Sequence, residues 1–230
     1  MHLTNKNRFL ILGFLLLTFN VSCFAHGVDS NTEQFLTTNK GSAIGPFLYI
    51  GAKHMITGYD HLLFLIGVIF FLFRGRDILI YVSLFTLGHS LTLLLGVFEH
   101  ISVNVYLIDA IIALSIVYKG FDNLGGFKKL FGFEPNTKIA VFVFGLFHGF
   151  GLATKLQDFS LPQESLIPNM IAFNVGVEIG QCIALLFILT LLGFWRRHKS
   201  YFALSRSTNT LLMTGGFVLL GYQLTGYFSV

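Results

Sequence analysis

Residues 46–73 read PFLYIGAKHMITGYDHLLFLIGVIFFLF, and this apolar segment indicates the fold class. At about 1.5 Å per residue, a helix of this length exceeds the roughly 30 Å of a bilayer's hydrocarbon core. The excess indicates tilt, an interfacial start or a break, and Gly58 is the candidate for a break. The stretch therefore predicts a first transmembrane helix that carries ionisable side chains inside the membrane.

Five further apolar segments follow, each long enough to cross a bilayer as a helix. They are residues 78–98, 103–121, 138–156, 167–194 and 209–228. The chain is 54% hydrophobic and only 11% charged, with a mean hydropathy of +0.73, whereas a soluble domain carries about 25% charged residues. These features predict an all-α, polytopic membrane helix bundle, with six transmembrane helices in residues 46–230.

Residues 1–25 have the three parts of a secretory signal peptide. Lys6 and Arg8 form the basic region, an apolar run follows, and Cys23 and Ala25 provide the small residues at −3 and −1 for cleavage. An uncleaved first helix is the alternative, and a lipoprotein signal at Cys23 is a weaker one. Residues 26–45 are then expected to form an exposed periplasmic arm.

Cleavage after residue 25 would make His26 the new N-terminus, where the amine and the imidazole together could chelate a metal. The simpler interpretation is a mobile polar end. The mature chain would keep one cysteine, Cys182, which excludes an internal disulfide and a cysteine metal cluster.

The basic residues predict the orientation of the helices. Ten follow the first, third and fifth segments, against Lys155 alone after the second and fourth. The ten are Arg74, Arg76, Lys119, Lys128, Lys129, Lys138, Arg196, Arg197, Lys199 and Arg206. The positive-inside rule therefore predicts a bacterial inner-membrane protein with both mature termini outside. Because the net charge of +4 is distributed over short loops, it indicates topology and not nucleic-acid binding.

Polar residues within the apolar segments are the candidates for function, because a charge inside a membrane is costly and usually faces the bundle interior. Asp60, His61, His89, His148 and Glu178 all fall near the middle of their segments. His54 and Asp109 lie nearer the outer face, where an entry site is expected. The alternative for a single histidine is a hydrogen bond between helices, and structural roles stay open for Asp109, Asn174 and Gln181.

Helical geometry limits which of these residues can meet. His54 and His61 share a face of a straight helix but stand about 10 Å apart, so they form successive sites unless the helix opens near Gly58. Asn174, Glu178 and Gln181 form one polar stripe at i, i+4 and i+7. Gly145 and Gly149 beside His148 would allow another helix to approach closely.

Imidazole combined with carboxylate or amide oxygen, without thiolate, suits a borderline divalent metal such as nickel, cobalt, zinc or copper(II). The sequence therefore predicts a metal site of His54, Asp60, His61, His89, His148 and Glu178, with Asp109, Asn174, Gln181 and His26 as secondary candidates.

The same residues carry a resemblance to the HupE/UreJ family of bacterial nickel/cobalt permeases and their accessory relatives. It rests on His54-x5-Asp60-His61, on Phe85-Thr-Leu-Gly-His89-Ser90, on Phe144-Gly-Leu-Phe-His148-Gly and on Phe173-Asn174-Val-Gly-Val-Glu178. The resemblance implies a cleaved signal, six helices, metal uptake, and functional roles for His54, Asp60, His61 and His148. Residues 150–153 lack the acidic or histidine residue that nickel permeases tend to carry there, and Glu178 is expected to replace it.

Three functions remain open from the sequence. The first is a permease for a divalent transition metal, with nickel or cobalt favoured. The second is an intramembrane zinc-dependent hydrolase in which Glu178 acts as the general base. The third is an accessory protein that delivers metal to maturation partners of a metalloenzyme. The lipid bilayer is the expected environment, and a homo-oligomer stays open.

Overall fold

The computed structural model describes residues 30–38, 41–157 and 163–229, which form nine α-helices and no strand. The helices are α1 (Ser30–Thr38), α2 (Ile44–Thr57), α3 (Tyr59–Ile69), α4 (Gly75–Phe98), α5 (Val105–Asn123), α6 (Gly126–Phe131), α7 (Thr137–Gln157), α8 (Gln163–Arg196) and α9 (Ser200–Ser229). The predicted signal peptide and His26 lie outside the described residues. The all-α membrane helix bundle is confirmed.

The first predicted span is broken at Gly58, as the sequence indicated. Gly58 has φ −73° and ψ 100°, an extended conformation that separates α2 from α3. A Cβ at this position would lie 2.8 Å from Nδ1 of His61 and 3.1 Å from the carbonyl oxygen of His54. Only glycine therefore fits the break without moving the histidines.

Among the helices that the structure describes, four are long and apolar enough to cross a bilayer, namely α4, α7, α8 and α9. The first predicted span is divided into helices of 14 and 11 residues. The third predicted span is α5, which carries Asp109, Lys119 and Asp122. The count of six transmembrane helices stays a prediction.

The helices pack mainly in three pairs: α2 with α8, α4 with α7, and α5 with α9. Glycines permit close approach in each pair, because Gly176 faces the backbone of Leu48, Gly145 that of Phe85, and Gly120 that of Asn209. The contacts show that the first two pairs are parallel and the third is antiparallel. In a chain that crosses the membrane six times, odd-numbered spans run one way and even-numbered spans the other. The directions of all three pairs agree with this pattern.

The predicted exposed arm differs from the structure over its described part. Residues 30–38 form α1, in which Leu36 is 1% exposed and joins the hydrophobic core. The rings of Phe35 and Phe47 meet edge to face with centroids 6.0 Å apart. The correction has a simple cause: Phe35 and Leu36 lie next to each other within a polar segment and provide an apolar surface that packs on α2.

The far end of α3 is held by α8 and α9. Nη2 of Arg196 donates hydrogen bonds to the carbonyls of Ile69 and Phe70, at 2.6 and 2.9 Å. The hydroxyl of Tyr201 also donates to the Phe70 carbonyl. These bonds satisfy carbonyls that have no partner within a helix at its C-terminal end.

Candidate metal-binding site

The break at Gly58 brings His54 and His61 together. Their ring centroids are 5.1 Å apart and the rings meet edge to face, although a straight helix would separate the two residues by about 10 Å. Of the two arrangements open from the sequence, the structure has the opened helix. His54 consequently belongs to the central cluster, and its expected place in a separate outer entry site is wrong.

His89 of α4 completes a group of three imidazoles. One ring nitrogen each from His54, His61 and His89 lies within 4.8 Å of the other two. His61 and His89 are 1% and 0% exposed, and His54 is partly buried. A cation placed among the three would therefore meet several nitrogen donors and little water.

His148 of α7 is the fourth member of the cluster. Its ring centroid lies 4.8 Å from that of His61, and the residue is fully buried. Its Nδ1 is 2.8 Å from the carbonyl oxygen of Phe144. Because a carbonyl only accepts hydrogen bonds, Nδ1 carries the proton and Nε2 is left with the lone pair that a metal requires.

Asp60 acts on His61. Its Oδ1 accepts a hydrogen bond from the backbone N–H of His61 at 2.9 Å and lies 3.0 Å from Nδ1 of the same residue. The carboxylate thus holds the Nδ1 proton and leaves Nε2 of His61 as the donor atom. A carboxylate–histidine pair of this kind fixes the orientation and the tautomer of the ring for metal binding.

Close packing of α4 against α7 sets the positions of His89 and His148. Gly149 lies against the carbonyl oxygen of His89 and the hydroxyl of Thr92, which leaves no space for a side chain. The Thr92 hydroxyl donates to the carbonyl of Leu146 at 2.7 Å. The close approach expected from Gly145 and Gly149 is therefore present.

Aromatic rings surround the cluster. The ring of Phe85 is 4.9 Å from that of His148, Phe64 is 5.7 Å from it, and Phe173 is 6.3 Å from His54. These residues exclude water and lower the local dielectric constant, which strengthens interactions with a bound ion. Sequence reasoning missed them, although Phe64 and Phe85 lie one turn from His61 and His89.

Glu178 lies apart from the cluster in this structure, and its role as a ligand stays a prediction. It lies on the exposed side of α8, and its carboxylate makes no hydrogen bond or ion pair with the described residues. The cause is helical phase. Val177 is at the centre of the buried face, and Glu178 is rotated about 100° away from it.

The secondary candidates take other positions. Gln181 is buried and accepts a hydrogen bond from the hydroxyl of Thr86, which links α8 to α4. The amide of Asn174 is buried without a hydrogen bond to any described residue. Asp109 forms an ion pair of 3.1 Å with Lys155, so a lysine neutralises the carboxylate expected at the outer entry.

A family profile described as HupE / UreJ protein matches residues 30–230. The chain belongs to the HupE/UreJ family. The match includes every helix of the bundle and all four clustered histidines. This HupE/UreJ protein is therefore a multi-pass membrane protein related to nickel and cobalt transport, and its family is transporter-like. A search of curated proteins and a search of solved structures found no match.

Proposed function

We propose that this HupE/UreJ protein is a membrane permease for a divalent transition-metal ion, with nickel or cobalt as the expected substrate. The observation that carries the proposal is the approach of three imidazole nitrogens, from His54, His61 and His89, to within 4.8 Å of one another. His148 adds a fourth nitrogen beside His61, and Asp60 orients the His61 ring.

The donor set suits this substrate. Imidazole binds nickel, cobalt, zinc and copper(II). Soft metal ions prefer thiolate ligands, which the cluster lacks. Cys182, the free cysteine of the described residues, lies on the exposed side of α8, away from the cluster. Zinc and copper remain alternatives for the uptake measurement to separate.

The broken first span also supports transport. Transporters commonly place an ion where a membrane helix is interrupted, because the C-terminal end of a half-helix presents partial negative charge to a cation. Here α2 ends at Thr57, directly beside the cluster. Asp60 lies in the first turn of α3, where its charge offsets the positive end of that half-helix.

The two competing functions have less support. The hydrolase required Glu178 as a general base, but Glu178 faces away from the histidines. An accessory delivery protein would need the same ligands as a permease, so only a measurement of flux separates these two. The chain has no P-loop sequence, and an ion gradient or the membrane potential would provide the driving force.

The decisive experiment is metal uptake by the purified protein in proteoliposomes, with nickel, cobalt, zinc and copper compared. We expect His61→Ala to abolish uptake. We also expect it to weaken metal affinity by more than the roughly 10- to 100-fold that is lost when a hydrogen-bond partner of a metal ligand is removed. His198→Ala is the matched control, because His198 is an exposed histidine beyond α8.

Unchanged uptake in His61→Ala would contradict the proposal. Tight, stoichiometric metal binding without flux in the wild type would instead support an accessory role in metal delivery.

A further inference from the structure

A small cavity lies next to the histidine cluster, lined by residues of α3 and α4 together with Met55 of α2, Val141 of α7 and Gln181 of α8. Its volume is about 10 Å³, which is space for roughly one water molecule. His61 forms one end, and Val68 and Tyr81 line the wall farther along. Between them the side of the wall that α3 and α4 form is apolar, with Phe64, Leu65 and Phe85.

The cavity leads toward the basic loop that follows α3. Val68 lies seven residues, or about 10 Å, beyond His61 on α3. The helix α4 runs in the direction opposite to α3. Tyr81, one turn before Phe85 on α4, therefore lies at the same end of the cavity as Val68. Arg74 and Arg76 follow at this end, and the positive-inside rule predicts that it faces the cytoplasm.

A passage of this size is closed to a hydrated divalent ion. Apolar constrictions of this kind gate channels by excluding water, and they conduct when they widen and fill with water. We propose that the seam between α3 and α4 is the exit path for the ion, and that Val68 and Tyr81 form its closed gate. This inference rests on the proposed permease function.

The packing of α3 indicates which surfaces separate. α3 packs mainly on α5 and only lightly on α4 and α8. It is a half-helix of 11 residues, with the break at Gly58 at one end and the Arg196 bonds to Ile69 and Phe70 at the other. Because α3 carries Asp60 and His61 as well as the wall of the cavity, a movement that widens the seam also changes the ligand geometry. Opening of the exit and release of the ion are thereby coupled.

The test uses Val68→Cys as a single cysteine, in a background where Cys23 and Cys182 are replaced by serine. A small, positively charged, membrane-impermeant methanethiosulfonate is added to oriented vesicles from either side. We expect reaction from the basic-loop side. We also expect modification to lower metal flux about tenfold or more, because the added group occupies the constriction. Metal affinity of the modified protein should change less than about twofold, since Val68 is about 10 Å from His61 along the helix.

Val143→Cys is the matched control, because Val143 is a valine on the exposed side of α7 at 37% exposure. It faces the surroundings of the bundle, so we expect neither modification by the charged reagent nor loss of flux. Absence of reaction at Val68→Cys in vesicles that transport metal would overturn the proposed path. Modification without loss of flux would overturn it as well. Metal binding without flux in the unmodified wild type would instead contradict the permease itself, on which the exit path rests.

Discussion

The α2–α3 segment and α8 lie side by side in the bundle, yet they place their ionisable residues differently. In α2–α3 the helix opens at Gly58, and His54, Asp60 and His61 all come together. α8 is continuous over 34 residues, and its Glu178 stays on the exposed side. A break in the backbone can gather side chains that a straight helix keeps apart, whereas a continuous helix keeps the phase that its spacing dictates.

The largest effect is expected for Gly58→Ala. The added Cβ would lie 2.8 Å from Nδ1 of His61 and 3.1 Å from Oδ1 of Asp60, so both side chains must move. We expect metal affinity to fall more than roughly 100-fold, beyond the range for loss of one outer partner. Equilibrium dialysis of the purified protein measures this.

Gly45→Ala is the control for that variant, since Gly45 lies in α2 and its Cβ would meet nothing within 4 Å. It should bind metal as the wild type does. Unaltered affinity in Gly58→Ala would mean that the break does not position the histidines.

The second prediction concerns the hydrogen bond that the break allows. Asp60→Asn keeps the shape of the side chain but removes the charge that holds the Nδ1 proton of His61. We expect metal affinity to fall about 10- to 100-fold, as for other partners of metal-binding histidines. Titration calorimetry gives the affinity, and Glu164→Gln, at an exposed carboxylate of α8, is the neutral comparison. An Asp60→Asn protein with wild-type affinity would show that His61 needs no such partner.

The sequence predicts the class of fold and the close approach of helices at Gly145 and Gly149, and it offers Gly58 as the place for a break, beside tilt and an interfacial start. Those features depend on local properties, namely apolar length, the absence of a side chain and the depth of a residue within a segment. Whether His89 and His148 lie near the same site depends on which helices pack together. The spacing of residues within one segment does not determine this. The pairing of α4 with α7 decides it.

His54 and Glu178 lie elsewhere than the sequence predicts, for two different reasons. Depth counted along an unbroken helix places His54 at the outer face. The tendency of charged residues in membrane helices to face the bundle places Glu178 in the interior. The packing of α8 on α2 decides that the face of Val177 is the buried one, and the sequence alone does not reveal this.

The third and smallest effect is expected for Glu178→Gln, which tests the α8 side of the comparison directly. Because the carboxylate faces away from the cluster, we expect metal affinity within about twofold of the wild type, well short of the 10- to 100-fold range, in rough terms, for Asp60→Asn. Thermal stability should be unchanged or higher, since a neutral amide is less costly than a carboxylate on a face exposed within the membrane. A loss of affinity comparable to that of Asp60→Asn would place Glu178 among the ligands and would require α8 to rotate when metal binds. A loss of stability with normal affinity would instead show that the carboxylate contacts a partner on that face.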